Sequence, residues 1–178
     1  MKPLGPIPVG YGMVAGELAI AGKTASALVA EAGTTPLFVY SSQHIRRRVG
    51  EVLNALPSRV ALHYAIKANS YNQILQLMSE LVDGFDIASA GELALAIDAG
   101  ADPARISFAG PGKRDVELEA EIAAGVKPNL ESENEASRAL TIADRLGVTP
   151  RLAIRVNPDF DLKGSGMKMG GGAKPFGI

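Results

Sequence analysis

Lys67 closes an apolar stretch, RVALHYAIKAN, at residues 59–69. A deprotonated lysine amine attacks aldehydes, and burial or a neighbouring cation lowers its pKa toward that form. A lysine is also an ordinary strand ending, with its stem over apolar surface and its charge in water. The β-branched and aromatic residues before it predict a strand. Alternation along that strand would put His63, Ala65 and Lys67 on one face and Leu62, Tyr64 and Ile66 on the other. The lysine face is small just below the amine, which leaves room for a ligand. Other chemistry-bearing residues end similar runs: Asp86 and Ser89 in GFDIAS, Gly110 in RISFAG and Arg155 in RLAIRVNP. Asp86 either faces a ligand or caps a loop. Arg155 either faces a ligand or makes an interior ion pair, for which Asp86 is a conceivable partner. Ser89 reads as a helix cap and His63 as a core histidine.

The elements that must position these residues recur along the chain. Strand-like runs RVALHYAI, GFDIAS, RISFAG, GVKPNL and RLAIRVNP start about 20–25 residues apart, each followed by a helical pattern except the last. Such alternation predicts βαβ units and a parallel sheet. SAGE, from Ser89 to Glu92, reads as a capping box before ELALAIDAG, which ends on Gly100. SENE, from Ser132 to Glu135, repeats it before a helix with Ala136, Leu140, Ile142 and Leu146 in its apolar stripe and Gly147 as its C-terminal stop. Upstream, GELAIAGKTASALVAEAG predicts a helix and a turn, PLFVY a strand and SSQHIRRRVGEVLNAL another helix. No GxGxxG follows the first strand of the repeat, which disfavours a doubly wound dinucleotide fold. Candidate residues at the ends of several strands instead favour part of a (β/α)8 TIM-type barrel, about five βα units plus an N-terminal helix–strand arm. A closed barrel takes eight units and typically about 250 residues. The expectation is therefore a fragment, or closure by an unusual association.

Composition excludes several other roles. The formal net charge is −1 and no basic stripe occurs, which argues against nucleic acid as a main partner. With no cysteine, disulfides and thiolate metal sites are impossible, and the two histidines, His44 and His63, lack metal-ligand spacing. No apolar run approaches a membrane span, and the N-terminal MKPLGPIPVGYG lacks a signal-peptide core. A cytoplasmic protein is expected.

Several ordered motifs carry a family resemblance. HYAIKANSY resembles the cofactor-bearing segment of the fold type III pyridoxal-phosphate enzymes, which include diaminopimelate, ornithine and arginine decarboxylases and alanine racemase. TPLFVYSS, DGFDIASAGEL, ISFAGPGK, ESENE and RVNPD follow the decarboxylase order, and FAGPGK with VNPDFDLKGSGMKMGGGAKPFG is similar to the exosortase-system-associated subgroup. The resemblance implies an alanine racemase-like barrel and a decarboxylase using pyridoxal 5'-phosphate, with Lys67 forming the internal aldimine. It implies cofactor contacts from Ala65, Asp86, Arg155 (toward the phenolic oxygen) and Tyr71, the last matching a racemase tyrosine that reaches the phosphate unless it merely packs. It further implies residues 1–40 as an arm of a second domain and 41–178 as the start of the cofactor-binding barrel. The expected substrate is an amino acid, free or carrier-tethered, and the expected assembly a homodimer. A histidine, a glycine turn, an acid, a cysteine and a tyrosine of the family site have no counterpart up to Ile178. The chain alone is therefore expected to be inactive. A non-catalytic homologue that binds a partner, or a racemase, are the alternatives. The glycine-rich LKGSGMKMGGGAKPFGI is expected to form a loop over the barrel mouth, with Lys168 and Lys174 able to meet a carboxylate or phosphate.

Overall fold

The computed structural model describes residues 10–160, 171 and 175–178. The glycine-rich loop, with Lys168 and Lys174, lies almost wholly outside the described residues. The chain divides into two compact units, Met1–Pro57 and Ser58–Ile178.

In the first unit, β1 (Gly12–Val14), β2 (Glu17–Ile20) and β3 (Lys23–Thr24) form an antiparallel meander, followed by α1 (Ala25–Ala32) and α2 (Ser42–Ala55). The expected helix over GELAIAG is thus replaced by strands. Two-residue turns decide this: Ala15 and Gly16, then Ala21 and Gly22, all have positive φ. Paired positive φ values reverse the chain with the twist that antiparallel strands need. Only TASALVAEAG keeps its helix, capped by the Thr24 hydroxyl, which accepts from the Ala27 N–H at 3.3 Å. The expected strand PLFVY is not formed. Residues 37–40 pair with no strand among the described residues, and Phe38 stays 85 % exposed. A strand is defined by its ladder partner, so β-propensity without one gives none.

The second unit is a singly wound parallel sheet. Its elements run β4 (His63–Ala65), α3 (Asn72–Leu81), β5 (Gly84–Ile87), α4 (Ala90–Asp98), β6 (Ile106–Phe108), α5 (Asp115–Ala124), β7 (Lys127–Leu130), α6 (Glu133–Leu146) and β8 (Ala153–Ile154). The strands neighbour one another in chain order, all parallel. A doubly wound sheet would reverse its order at a switch point. Its absence matches a barrel wall of five strands.

Alternation sorts the two faces. Phe85, Ile87, Ile106, Phe108, Pro128 and Leu130 are buried, whereas Asp86, Ser107, Lys127 and Asn129 between them are only half-buried. Leu130 packs with Leu118 and Ile122 of α5 and with Ala139, Ile142 and Ala143 of α6. The buried set therefore faces the helices, each large side chain contributing about 2–3 kcal/mol. The polar set faces the other way. Leu140 departs from the expected stripe of α6 and is exposed. One residue turns a helix by about 100°, so Leu140 points away from the face centred on Ala139 and Ala143.

Both serine caps form. Ser89 accepts from the Glu92 N–H and Ser132 from the Glu135 N–H, each at 3.1 Å. The carboxylates reach one residue further back than in a capping box, to the Ala88 and Glu131 N–H groups, each at 2.7 Å. Gly147 ends α6 as expected. Ser132→Ala is expected to lower unfolding stability by about 1 kcal/mol, read as a shifted urea midpoint at unchanged slope.

Candidate functional site

Strand β4 ends one residue before Ile66, and Lys67 lies within a 3-10 turn, Ile66–Ala68. Strand alternation therefore does not set its direction, contrary to the expectation. The turn is held locally instead. The Asn69 N–H donates to the Ile66 carbonyl at 3.1 Å, and the Tyr64 hydroxyl to the Asn69 carbonyl at 3.1 Å. The Asn69 side chain accepts from the Tyr71 N–H at 2.9 Å, the self-turn that Asx residues favour. This turn buries Ile66 completely and leaves Lys67 exposed. Among the described residues the Lys67 amine makes no hydrogen bond.

Register brings the neighbours of Lys67 into place. Ala65 pairs with Asp86, and Asp86 with Ser107. Asn129, from β7, donates to the Ser107 hydroxyl at 2.7 Å and to the Phe108 carbonyl at 3.2 Å. These bonds tie β6 to β7 beside Pro128, which has no N–H to give. Burial raises the Asp86 pKa, while the charges of Lys67, His63 and Arg155 pull it down and Glu92 pushes it up. Asp86 is thus within electrostatic reach of both candidate cations.

Arg155 does form an ion pair, but with Glu131 rather than Asp86: Nη1 lies 3.2 Å from Oε1. Its guanidinium also stacks on Phe176, 4.7 Å from the ring centroid. Glu131 is the site residue that sequence reasoning missed. Its signal was available, because it follows Asn129 by two residues and so shares the polar parity of β7. His63 is exposed, with Nδ1 3.4 Å from the Phe85 carbonyl oxygen, rather than the core residue expected. It sits on the face without helices. Tyr71 is the N-cap residue before α3 and is itself exposed.

The loop after β6 is anchored by a lysine of its own. Lys113, fully buried, donates to the Gly110 carbonyl at 2.8 Å and the Asn129 carbonyl at 2.7 Å, with the Glu135 carboxylate 3.4 Å away. Lys113 is committed to structure; Lys67 is not. Two concavities, of about 430 Å³ in the first unit and about 310 Å³ in the second, include neither Lys67, Asp86 nor Arg155. The strand-end cluster lies on the sheet face turned away from the helices. Among the described residues no helix is long and apolar enough to cross a membrane, and no acidic or histidine cluster could hold a metal.

Comparison with known proteins agrees with this arrangement. Residues 42–178 match the sequence family described as the pyridoxal-dependent decarboxylase, pyridoxal binding domain. The chain is 43 % identical over 149 residues to a diaminopimelate decarboxylase of Aquifex aeolicus, covering 83 % of this chain and 35 % of that protein. It is 33 % identical over 145 residues to an L-glutamyl-[BtrI acyl-carrier protein] decarboxylase of Niallia circulans, covering 81 % and 34 %. A crystal structure of diaminopimelate decarboxylase from Helicobacter pylori complexed with L-lysine superposes with a TM-score of 0.74 at 34 % identity, covering 84 % of this chain and 39 % of that one. The chain thus spans roughly a third of the length of the relatives it matches. It belongs to the pyridoxal-dependent decarboxylase family and carries that family's pyridoxal binding domain over residues 42–178.

Proposed function

We propose that these residues form one wall of an amino-acid decarboxylase site in which Lys67 holds pyridoxal 5'-phosphate. The observation that carries this reading is the state of Lys67: exposed, free of hydrogen bonds among the described residues, and facing the field of Asp86. The donor set fits the cofactor. Lys67 offers an amine, Asp86 a partly buried carboxyl and Arg155 a fixed cation, with Ala65 leaving space beside Asp86. Pyridoxal phosphate, when bound, supplies the electron sink that receives the pair left behind as the α-carboxylate departs as CO2.

The chain's residues divide the remaining work. Lys67 Nζ binds the cofactor and, once released by substrate, holds the proton that replaces the carboxylate on Cα. Arg155 supplies positive charge where the phenolic oxygen must stay ionised. Tyr71, at the start of α3, would approach the phosphate. We assign residues 1–40 to an arm of a second domain and 41–178 to the cofactor-binding barrel wall, in a homodimeric, cytoplasmic protein. FAGPGK and the segment after RVNPD support the exosortase-associated subgroup, and the Niallia circulans relative supports a carrier-tethered substrate.

The test uses protein expressed from the complete coding sequence, supplied with pyridoxal phosphate. Meso-diaminopimelate, L-lysine, L-alanine and L-glutamyl carrier protein are each assayed for CO2 release and for racemisation. CO2 from diaminopimelate or the glutamyl carrier protein, with no racemisation, is the expected result. Racemisation without CO2 would make the protein a racemase. Neither reaction, with cofactor still bound, would favour a non-catalytic homologue.

A further inference from the structure

The Arg155 guanidinium is held at two points, and one of them is a buried carboxylate that no part of the site yet explains. Glu131 follows β7 with its side chain only 3 % exposed. Oε1 accepts from Arg155 Nη1 at 3.2 Å and from the Gly110 N–H at 2.9 Å, while Oε2 accepts from the Gly177 N–H at 2.8 Å. One side chain therefore joins the chain after β6, β7 and β8. Gly177 is pinned in turn, because the Ile178 N–H donates to the Arg155 carbonyl at 2.8 Å. A side chain at 177 would bring its Cβ to 3.0 Å from that carbonyl, at a φ of +80°. Phe176, next in the same segment, lies with its ring under the guanidinium carbon, which is 4.7 Å from the ring centroid.

We infer that Glu131 is a positioning residue: it fixes the Arg155 guanidinium, and through it sets the charge presented to the cofactor's phenolic oxygen. The inference rests on the cofactor reading above. A free arginine side chain samples many rotamers. Carboxylate on one side and aromatic ring on the other remove that freedom. Only one guanidinium N–H group is taken by Glu131, and among the described residues no other acceptor takes the rest.

The experiment is a pH titration of the visible absorbance of cofactor held on Lys67, in protein from the complete coding sequence. Borohydride trapping with peptide mapping first checks that the cofactor is on Lys67. Arg155→Gln removes a positive charge, so protonation of the lysine–cofactor nitrogen becomes easier and the titration moves up. Glu131→Gln is expected to move it up as well, by about half a pH unit or more. It should add little in the Arg155→Gln background. Glu131→Asp keeps the charge but withdraws the carboxylate, and should also move the titration up. A downward shift in Glu131→Gln would mean that its charge acts directly, and no shift with a lowered Tm would mean a loop clamp alone. Either result overturns the inference while leaving cofactor binding intact. Absence of cofactor from Lys67 in the unmodified protein would instead remove the site reading, and this inference with it.

Discussion

In protein expressed from the complete coding sequence, Lys67→Ala is expected to abolish the proposed covalent cofactor attachment and to lower the proposed decarboxylation at least about a thousandfold, some 4 kcal/mol in the barrier. The protein should otherwise stay folded. Lys67 is exposed and makes no hydrogen bond among the described residues, so its truncation removes little packing. Exposed substitutions of this kind usually stay within about 0.5 kcal/mol. Borohydride reduction followed by peptide mapping should find the cofactor on Lys67 in the unmodified protein and on no residue of the variant. Lys113→Met provides the contrast. It breaks a buried network and should lower Tm, because the Lys113 ammonium is what satisfies two carbonyls and the Glu135 carboxylate. If the cofactor maps to another lysine, or if Lys67→Ala keeps near-normal turnover, the proposed site is wrong.

Stability should fall as pH rises from the acid side toward pH 8, because of Glu121. This residue of α5 is fully buried, and neither carboxylate oxygen has a hydrogen-bond partner among the described residues. Burial pushes its pKa up to about 8; Lys113 opposes the shift, and Glu135 and Glu117 add to it. The native state therefore holds a proton that the unfolded chain gives up near the ordinary glutamate value of 4.5. A raised folded pKa contributes stability that is complete below the unfolded value and is lost as pH climbs to the folded one. Across that window the loss is on the order of 5 kcal/mol at most, at about 1.4 kcal/mol per pH unit. Above pH 8 the contribution is gone and the curve levels. Glu121→Gln keeps the shape without the titration, so its urea midpoint should vary much less between pH 5 and pH 8. Glu121→Leu should also flatten the profile and raise stability, since it replaces two unsatisfied oxygens with apolar surface. Parallel pH profiles for the unmodified protein and Glu121→Gln would sink this prediction.

Much of the fold was legible because its signals are local. The five strands of the parallel sheet appear as apolar runs, and Ser89, Ser132 and Gly147 mark helix ends through contacts within four residues. The errors were also local. GELAIAG has helical composition, but two turns with paired positive φ override it. PLFVY has strand composition, but no described strand pairs with it.

By itself, the sequence determined the alternating parallel architecture and singled out Lys67, Asp86 and Arg155 at or near the ends of the first, second and fifth strands of that sheet. Periodicity, caps and motif order act within a dozen residues, so they survive without a fold. Tertiary structure decided who meets whom. Arg155 pairs with Glu131 and not Asp86, across 24 residues of chain. Lys113 is buried while Lys67 is free, and Glu121 lies with its carboxyl sealed between α5 and its neighbours. Each of these depends on how strands register and helices pack. A lysine or glutamate has the same letter whether its charge ends in water, against a partner or in the core.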